Sequence, residues 1–282
     1  MTAAVTALLP AKLRDLSLPW SVPAGAAIVV FWVAVALLAP LIAPSDPIAQ
    51  NLQETLQPPG FAHWLGTDNF GRDVLSRLIW GTRIDLMMGF FGVLFPFIIG
   101  VTIGAISGYT GGFVDALLMR LLDVTISFPF FVLIIAIVAT LGPGLSSFYI
   151  ALALVGWVSY ARLVRSQFLV LKHADFVLAA RCLGFSRWRI VFKHILPNAI
   201  MPAVVFSMSD AVIDILLGSS LSFLGLGIQP PTAEWGIMIA DGKSFMAQAW
   251  WISLFPGLAT IVLAIGFSLL ADGFAEILGS KD

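Results

Sequence analysis

Charge is what this sequence has least of. Only 11% of its 282 residues are charged, where soluble domains carry about 25%. The formal net charge is −1. This scarcity excludes a disordered chain, which stays solvated through charge, and a nucleic-acid binder working through a basic surface. One cysteine, Cys182, excludes a disulfide framework. The three histidines, His63, His173 and His194, are scattered. With no H-E-x-x-H and no Cys/His cluster, no metal centre is expected. Gly242-Lys243-Ser244 ends like a phosphate loop, but Ile237 stands where that motif needs its first glycine. Nucleotide binding by this chain is therefore rejected.

What the sequence has in excess is apolar surface. Hydrophobic residues make up 59%, and the mean hydropathy is +0.98. No charge lies between Asp15 and Asp46, Asp85 and Asp115, Asp123 and Arg162, or Lys243 and Asp272. Each gap exceeds the roughly 20 residues a helix needs to cross the hydrocarbon core. In lipid the backbone must satisfy its own hydrogen bonds, so such stretches are helices. The lack of strict alternation argues against a barrel of short strands. The reading is an all-α, polytopic membrane protein with about six transmembrane helices: 24–43, 84–106, 113–141, 146–161, 199–222 and 250–271. Gly142-Pro143-Gly144 separates the third from the fourth. The first apolar run is too long for the h-region of a signal peptide, so an uncleaved first span is expected.

Seven of the 15 basic residues fall between Arg162 and Lys193, with Asp175 the sole acid among them. By the positive-inside rule this loop, 162–198, is cytoplasmic. Six spans then place both termini inside, in keeping with Lys12 and Arg14. The segments read as a cytoplasmic stretch 1–23, a first helix 24–43, an outer segment 44–83, a transmembrane core 84–275 and a cytoplasmic tail 276–282. In the outer segment Arg72, Arg77 and Arg83 are offset by Asp46, Glu54, Asp68 and Asp73. Its prolines predict an irregular start. Asp73–Trp80 has helical spacing and either lies along the membrane or runs into the second span. The segment is a surface loop or a docking face for an external partner.

Gly100, Gly104 and Gly108 form a smooth stripe for close helix packing. Arg120 and Asp123, three apart, can pair on one helix face. Asp210 and Asp214, four apart, also share a face. Charges at bilayer depth are costly and turn toward a bundle interior or a watery path, so Asp123, Asp210 and Asp214 either line a route or sit near an interface. The basic loop is expected to be helical, broken near Gly184 and ended by Pro197-Asn198, with Ser186 as an N-cap for the next short helix. Phe185 and Trp188 on that helix suit insertion into a partner's groove. Contact of its arginines with anionic headgroups is the other reading.

Ala179-Ala180-Arg181, then Gly184, then Leu196-Pro197 resembles the "EAA" loop of bacterial ABC-importer permeases. Leu178 replaces the leading glutamate, and His194 the isoleucine two before Leu-Pro. His63-Trp-Leu-Gly-Thr-Asp68, Gly71-Arg72-Asp73, Gly108-Tyr-Thr-Gly-Gly112, Ser222-Phe-Leu-Gly-Leu-Gly227, Gln229-Pro-Pro231 and Trp235-Gly236 are similar to the dipeptide/oligopeptide/nickel permease subfamily. The resemblance covers nearly all of the chain from residue 24 onward. It implies the second permease of a heterodimeric pair in the bacterial inner membrane, with no catalysis of its own and no cofactor. It further implies a paired permease, two ABC ATPase subunits holding ATP and Mg, and a periplasmic or lipid-anchored substrate-binding protein. Residues Ala179, Ala180, Arg181, Gly184, Phe185, Ser186, Arg187, Trp188 and Pro197 would dock the ATPase; His63, Asp68, Arg72 and Asp73 would face the binding protein. The substrate would be a di- or oligopeptide, with nickel or glutathione as alternatives. An ion-coupled secondary transporter using the buried aspartates is the rival class.

Overall fold

Apolar runs of this length can fold in lipid only as helices that close their own hydrogen bonds. A computed structural model describes residues 18–279, and every regular element among them is helical. Lys12, Arg14 and positions 280–282 lie outside the described residues. Helix α1 is Ser21–Ile42 and α2 is Val74–Thr110. Then come α3, Gly112–Ile126, and α4, Phe130–Leu141. Helices α5, Leu145–Val155, and α6, Trp157–Leu171, follow. The basic loop holds α7, Asp175–Cys182, α8, Arg187–Ile190, a π-turn over Val191–Ile195 and α9, Leu196–Ala199. The chain ends with α10, Met201–Phe223, the short α11, Trp235–Gly242, and α12, Trp251–Gly279. Among the described residues five stretches are long and apolar enough to cross a membrane, and six if α3 and α4 count as one bent span.

Helix α2 is the axis, packing against α1, α5, α6 and α10. Its 37 residues span about 55 Å at 1.5 Å per residue, well beyond the hydrocarbon thickness. It starts ten residues earlier than the sequence reading placed it. The Asp73 carboxylate accepts from the Ser76 N–H at 2.8 Å and its hydroxyl at 2.7 Å, capping the helix there. Asp73–Trp80 therefore continues into the span. The glycine stripe does what its spacing predicts. A Cβ on Gly104 would lie 2.5 Å from Ala161 O, and one on Gly108 2.6 Å from Phe168 Cβ, so only hydrogen lets α2 and α6 approach so closely.

The third predicted span, 113–141, is two helices bent by 83°. Pro129 has no N–H to continue α3, and Phe128 before it is driven out of helical geometry. Neither half alone reaches the roughly 20 residues of a crossing. The fourth span runs past its predicted end at Ala161 to Leu171, giving 27 residues from Leu145. Arg165 and Lys172 are tolerated because each has a partner. Arg165 donates to both Asp115 oxygens at 2.6 and 2.7 Å, and Lys172 Nζ donates to Gly108 O at 3.0 Å.

These contacts place Lys172 at the Thr110 end of α2. At the opposite end Trp251 Nε1 donates to Thr67 O at 3.1 Å and Trp235 Nε1 to Leu78 O at 3.0 Å. The outer segment and the basic loop thus sit at opposite ends of the bundle.

Candidate functional site

Among the described residues, three polar places hold most of the site residues expected from the sequence. The first is a cavity of about 450 Å³ beside the middle of α10. The α3–α4 elbow supplies Phe128, Pro129 and Phe130, α6 supplies Ser159, and α10 supplies Asp210 and Asp214. The two aspartates are one helical turn apart, so a single face of α10 carries both. Asp210 accepts from the Tyr160 hydroxyl at 2.7 Å. Asp214 Oδ2 is buried with no donor, and a Cβ on Gly92 would come within 2.7 Å of it. No lysine, arginine or histidine is among the lining residues.

The second place is the outer end, which is folded onto the helices. Asp68 Oδ2 accepts from Arg72 Nε at 2.6 Å and from Arg77 Nη1 at 2.5 Å. Asp241, in the last turn of α11, approaches Arg72 Nη2 at 3.3 Å and Arg77 Nη2 at 3.5 Å. Burial pushes the Asp241 carboxyl up, while the two guanidiniums pull it back. His63 Nδ1 lies 2.9 Å from Asp73 Oδ1, and its Nε2 3.4 Å from Glu54. The Asp73 bond raises the imidazole pKa against the opposing effect of burial.

The third place is the basic end. Helix α7 turns its Val177 and Ala180 inward and ends in a Schellman turn. There the Phe185 N–H donates to Ala180 O at 3.2 Å and the Gly184 N–H to Arg181 O at 3.0 Å. Gly184 has φ +75° with open space around its α-carbon, so backbone conformation, not crowding, selects glycine there. Ser186 then caps α8, accepting from the Arg189 N–H at 3.4 Å. Leu183 is 73% exposed and Trp188 75% exposed, beside exposed Arg181, Arg187 and Arg189. Trp188 stacks on Phe192 at 5.3 Å, and Arg189 covers the Phe185 ring at 4.1 Å. These apolar side chains stand open among the charges.

Residues 100–281 match the family described as "binding-protein-dependent transport system inner membrane component". The chain belongs to this permease family. Residues 23–59 match the N-terminal membrane domain of oligopeptide transport permease C. The permease is 40% identical to the dipeptide transport system permease protein DppC of Alkalihalophilus pseudofirmus, over 91% of this chain and 84% of that one. It is 41% identical to the glutathione transport system permease protein GsiD of Pectobacterium atrosepticum, over 90% and 84%. The methionine ABC transporter MetNI, in an inward-facing form, shares the fold with a TM-score of 0.57 at 18% identity, covering 69% of this chain and 93% of that one.

The predicted site residues divide unevenly. Asp210 and Asp214 line the cavity of the permease. Asp123 does not: it is exposed on α3, and Thr125 and Ile126 line the cavity instead. Asp123 forms no ion pair with Arg120, which is also exposed. Asp68, Arg72 and Asp73 are 1%, 1% and 4% exposed. They hold the outer segment together and cannot present themselves to a partner; His63 is partly covered beside them. Phe61 and Trp64 form the open surface there. Of the basic-end set, Ala179, Arg181, Gly184, Ser186, Arg187, Trp188 and Pro197 are exposed, Phe185 is half-buried, and Ala180 is buried. Pro197 does not end the helical segment. The π-turn before it lets the Leu196 N–H reach back to Val191 O, and Pro197 starts the next turn, where no N–H is needed.

Three features escaped the sequence reading. Tyr160 bonds Asp210 across 50 positions. Arg165 and Asp115 tie α6 to α3. Asp85 and Glu234 are wholly buried together, Asp85 accepting from the Trp235 N–H at 3.2 Å. The only local hint was that Asp85 and Asp115 bound an uncharged stretch.

Proposed function

We propose that this permease is half of the translocation pathway of an ATP-driven importer for di- or oligopeptides in the bacterial inner membrane. A second, homologous permease completes the pathway, and a substrate-binding protein delivers peptide at the outer end, where Phe61 and Trp64 are exposed. Two ATPase subunits dock at the basic end, which faces the cytoplasm, and hydrolyse ATP there; this chain does no covalent chemistry. The relatives named for dipeptide transport support the peptide reading.

The observation that carries the docking assignment is the open face of Leu183 and Trp188 on a rigid turn. Its motion has a direct route inward. Lys172 grips the end of α2, and Arg165 grips Asp115 on α3, whose far end is the elbow bounding the cavity. A push on α7 and α8 therefore reaches the cavity walls through charge-assisted bonds. Peptide must favour one of the two cavity states for the cycle to respond to it, since equal affinity shifts nothing.

The test is Gly184→Val and, separately, Trp188→Ser. The valine puts a branched side chain at positive φ, costing about 1–2 kcal/mol locally. Both variants should insert normally but lose ATPase co-purification and uptake. Undiminished co-purification in both would overturn the docking assignment. Uptake that persists without the ATPase subunits would instead establish an ion-coupled carrier.

A further inference from the structure

Asp210 is the tenth and Asp214 the fourteenth of the 23 residues in α10, so the cavity lies near mid-depth. Two carboxylates meet there, Asp210 accepting from the Tyr160 hydroxyl, and no basic side chain is among the lining residues. Asp214 is 2% exposed and its Oδ2 has no donor. Buried charge without a partner is costly. A proton or a cation from outside the chain has to supply what the lining does not. Phe128, Phe130 and Phe206 share the lining, and aromatic faces suit an organic ammonium better than a strongly hydrated metal ion. The volume of about 450 Å³ is within the usual range for small-molecule sites, about 300–1,000 Å³.

We infer that this cavity receives the free α-ammonium group of the transported peptide, with Asp214 and Asp210 as its acceptors. The inference rests on the peptide reading given above. The elbow of α3 and α4 forms one wall, so movement transmitted through Asp115 changes the space beside the two carboxylates. The same arrangement disfavours peptides whose amino terminus is blocked, because the carboxylates would be left unpaired.

The test uses the full importer in proteoliposomes with labelled dialanine. A hydrogen bond to a charged group is worth enough that Asp214→Asn should cut uptake about 10- to 100-fold. Hydrolysis stimulated by the binding protein should continue, and Asp214→Glu should restore part of the uptake. A second pair does not touch the aspartates. Ser159→Lys places a tethered ammonium in the cavity. It should abolish uptake and unfold at a higher temperature than Ser159→Gln in the purified permease. Wild-type uptake by both Asp210→Asn and Asp214→Asn, or a lysine variant no more stable than the glutamine one, would overturn the site alone. A wild-type assembly that imports no dialanine would overturn the peptide reading, and the ammonium site with it.

Discussion

Replacing Asp68 by asparagine isolates the outer ionic knot. The carboxylate takes four hydrogen bonds: from the Phe70 and Arg72 N–H groups at 2.8 and 3.0 Å, and from the two guanidiniums at 2.6 and 2.5 Å. Asparagine keeps the shape, and its oxygen can still accept the backbone bonds. Its amide then points hydrogens at two buried cations. Only Asp241 remains for them, at 3.3 and 3.5 Å and partly open to solvent. Removing one partner from a buried pair costs about 3–5 kcal/mol, and Asp241 moderates this to about 3 kcal/mol. At about 2–4 °C per kcal/mol for a chain of this size, the unfolding midpoint should fall about 6–12 °C. Tryptophan fluorescence in detergent reads it directly, since Trp251 bonds Thr67 next to the knot. Replacing Asp68, Arg72 and Arg77 together by leucine and methionines should cost less, because no buried cation is stranded and the remaining Asp241 is partly open to solvent. If the single substitution moves the midpoint by less than about 2 °C, the knot does not hold this end.

Other expectations follow from separate regions. The raised His63 pKa means the protonated imidazole stabilises the outer segment: fully below the ordinary value of about 6.5, and progressively less as pH rises through the folded value. Proteolysis of the outer segment should therefore speed up above neutrality in the wild type, and His63→Gln should flatten that dependence. Gly104→Leu forces α6 off α2 and should destabilise by about 1–3 kcal/mol or more, seen as lost folding yield; a normal yield would contradict the close approach to Ala161. Arg165→Ala removes a partly exposed pair, so stability should change by less than about 1 kcal/mol, yet peptide moved per ATP should drop. Exposed Cys182 should react with an impermeant maleimide only in opened cells, whereas Phe61→Cys in a Cys182→Ser background should react in intact ones; the reverse pattern would invert the topology.

The sequence alone determined the helical class, the number of apolar runs and the separation of a basic end from an acidic-and-basic outer segment. Those follow from composition along a one-dimensional chain: a missing charge or a Gly-x-x-x-Gly spacing is local, and lipid leaves the backbone one solution. Ser186 as a cap and Gly184 as a break were legible for the same reason, since caps and turns are set within a few residues. Tertiary structure decided which charges face which. Asp68 and Arg72 read as a partner surface until the fold buried them together, and Tyr160 meets Asp210 across 50 positions, beyond any spacing rule. The bend at Pro129 was written locally but overlooked, because apolar character continues through it unchanged. What sets Asp214 apart is that packing brings it beside the elbow with no basic residue in the shared lining, and only the assembled helices fix that neighbourhood.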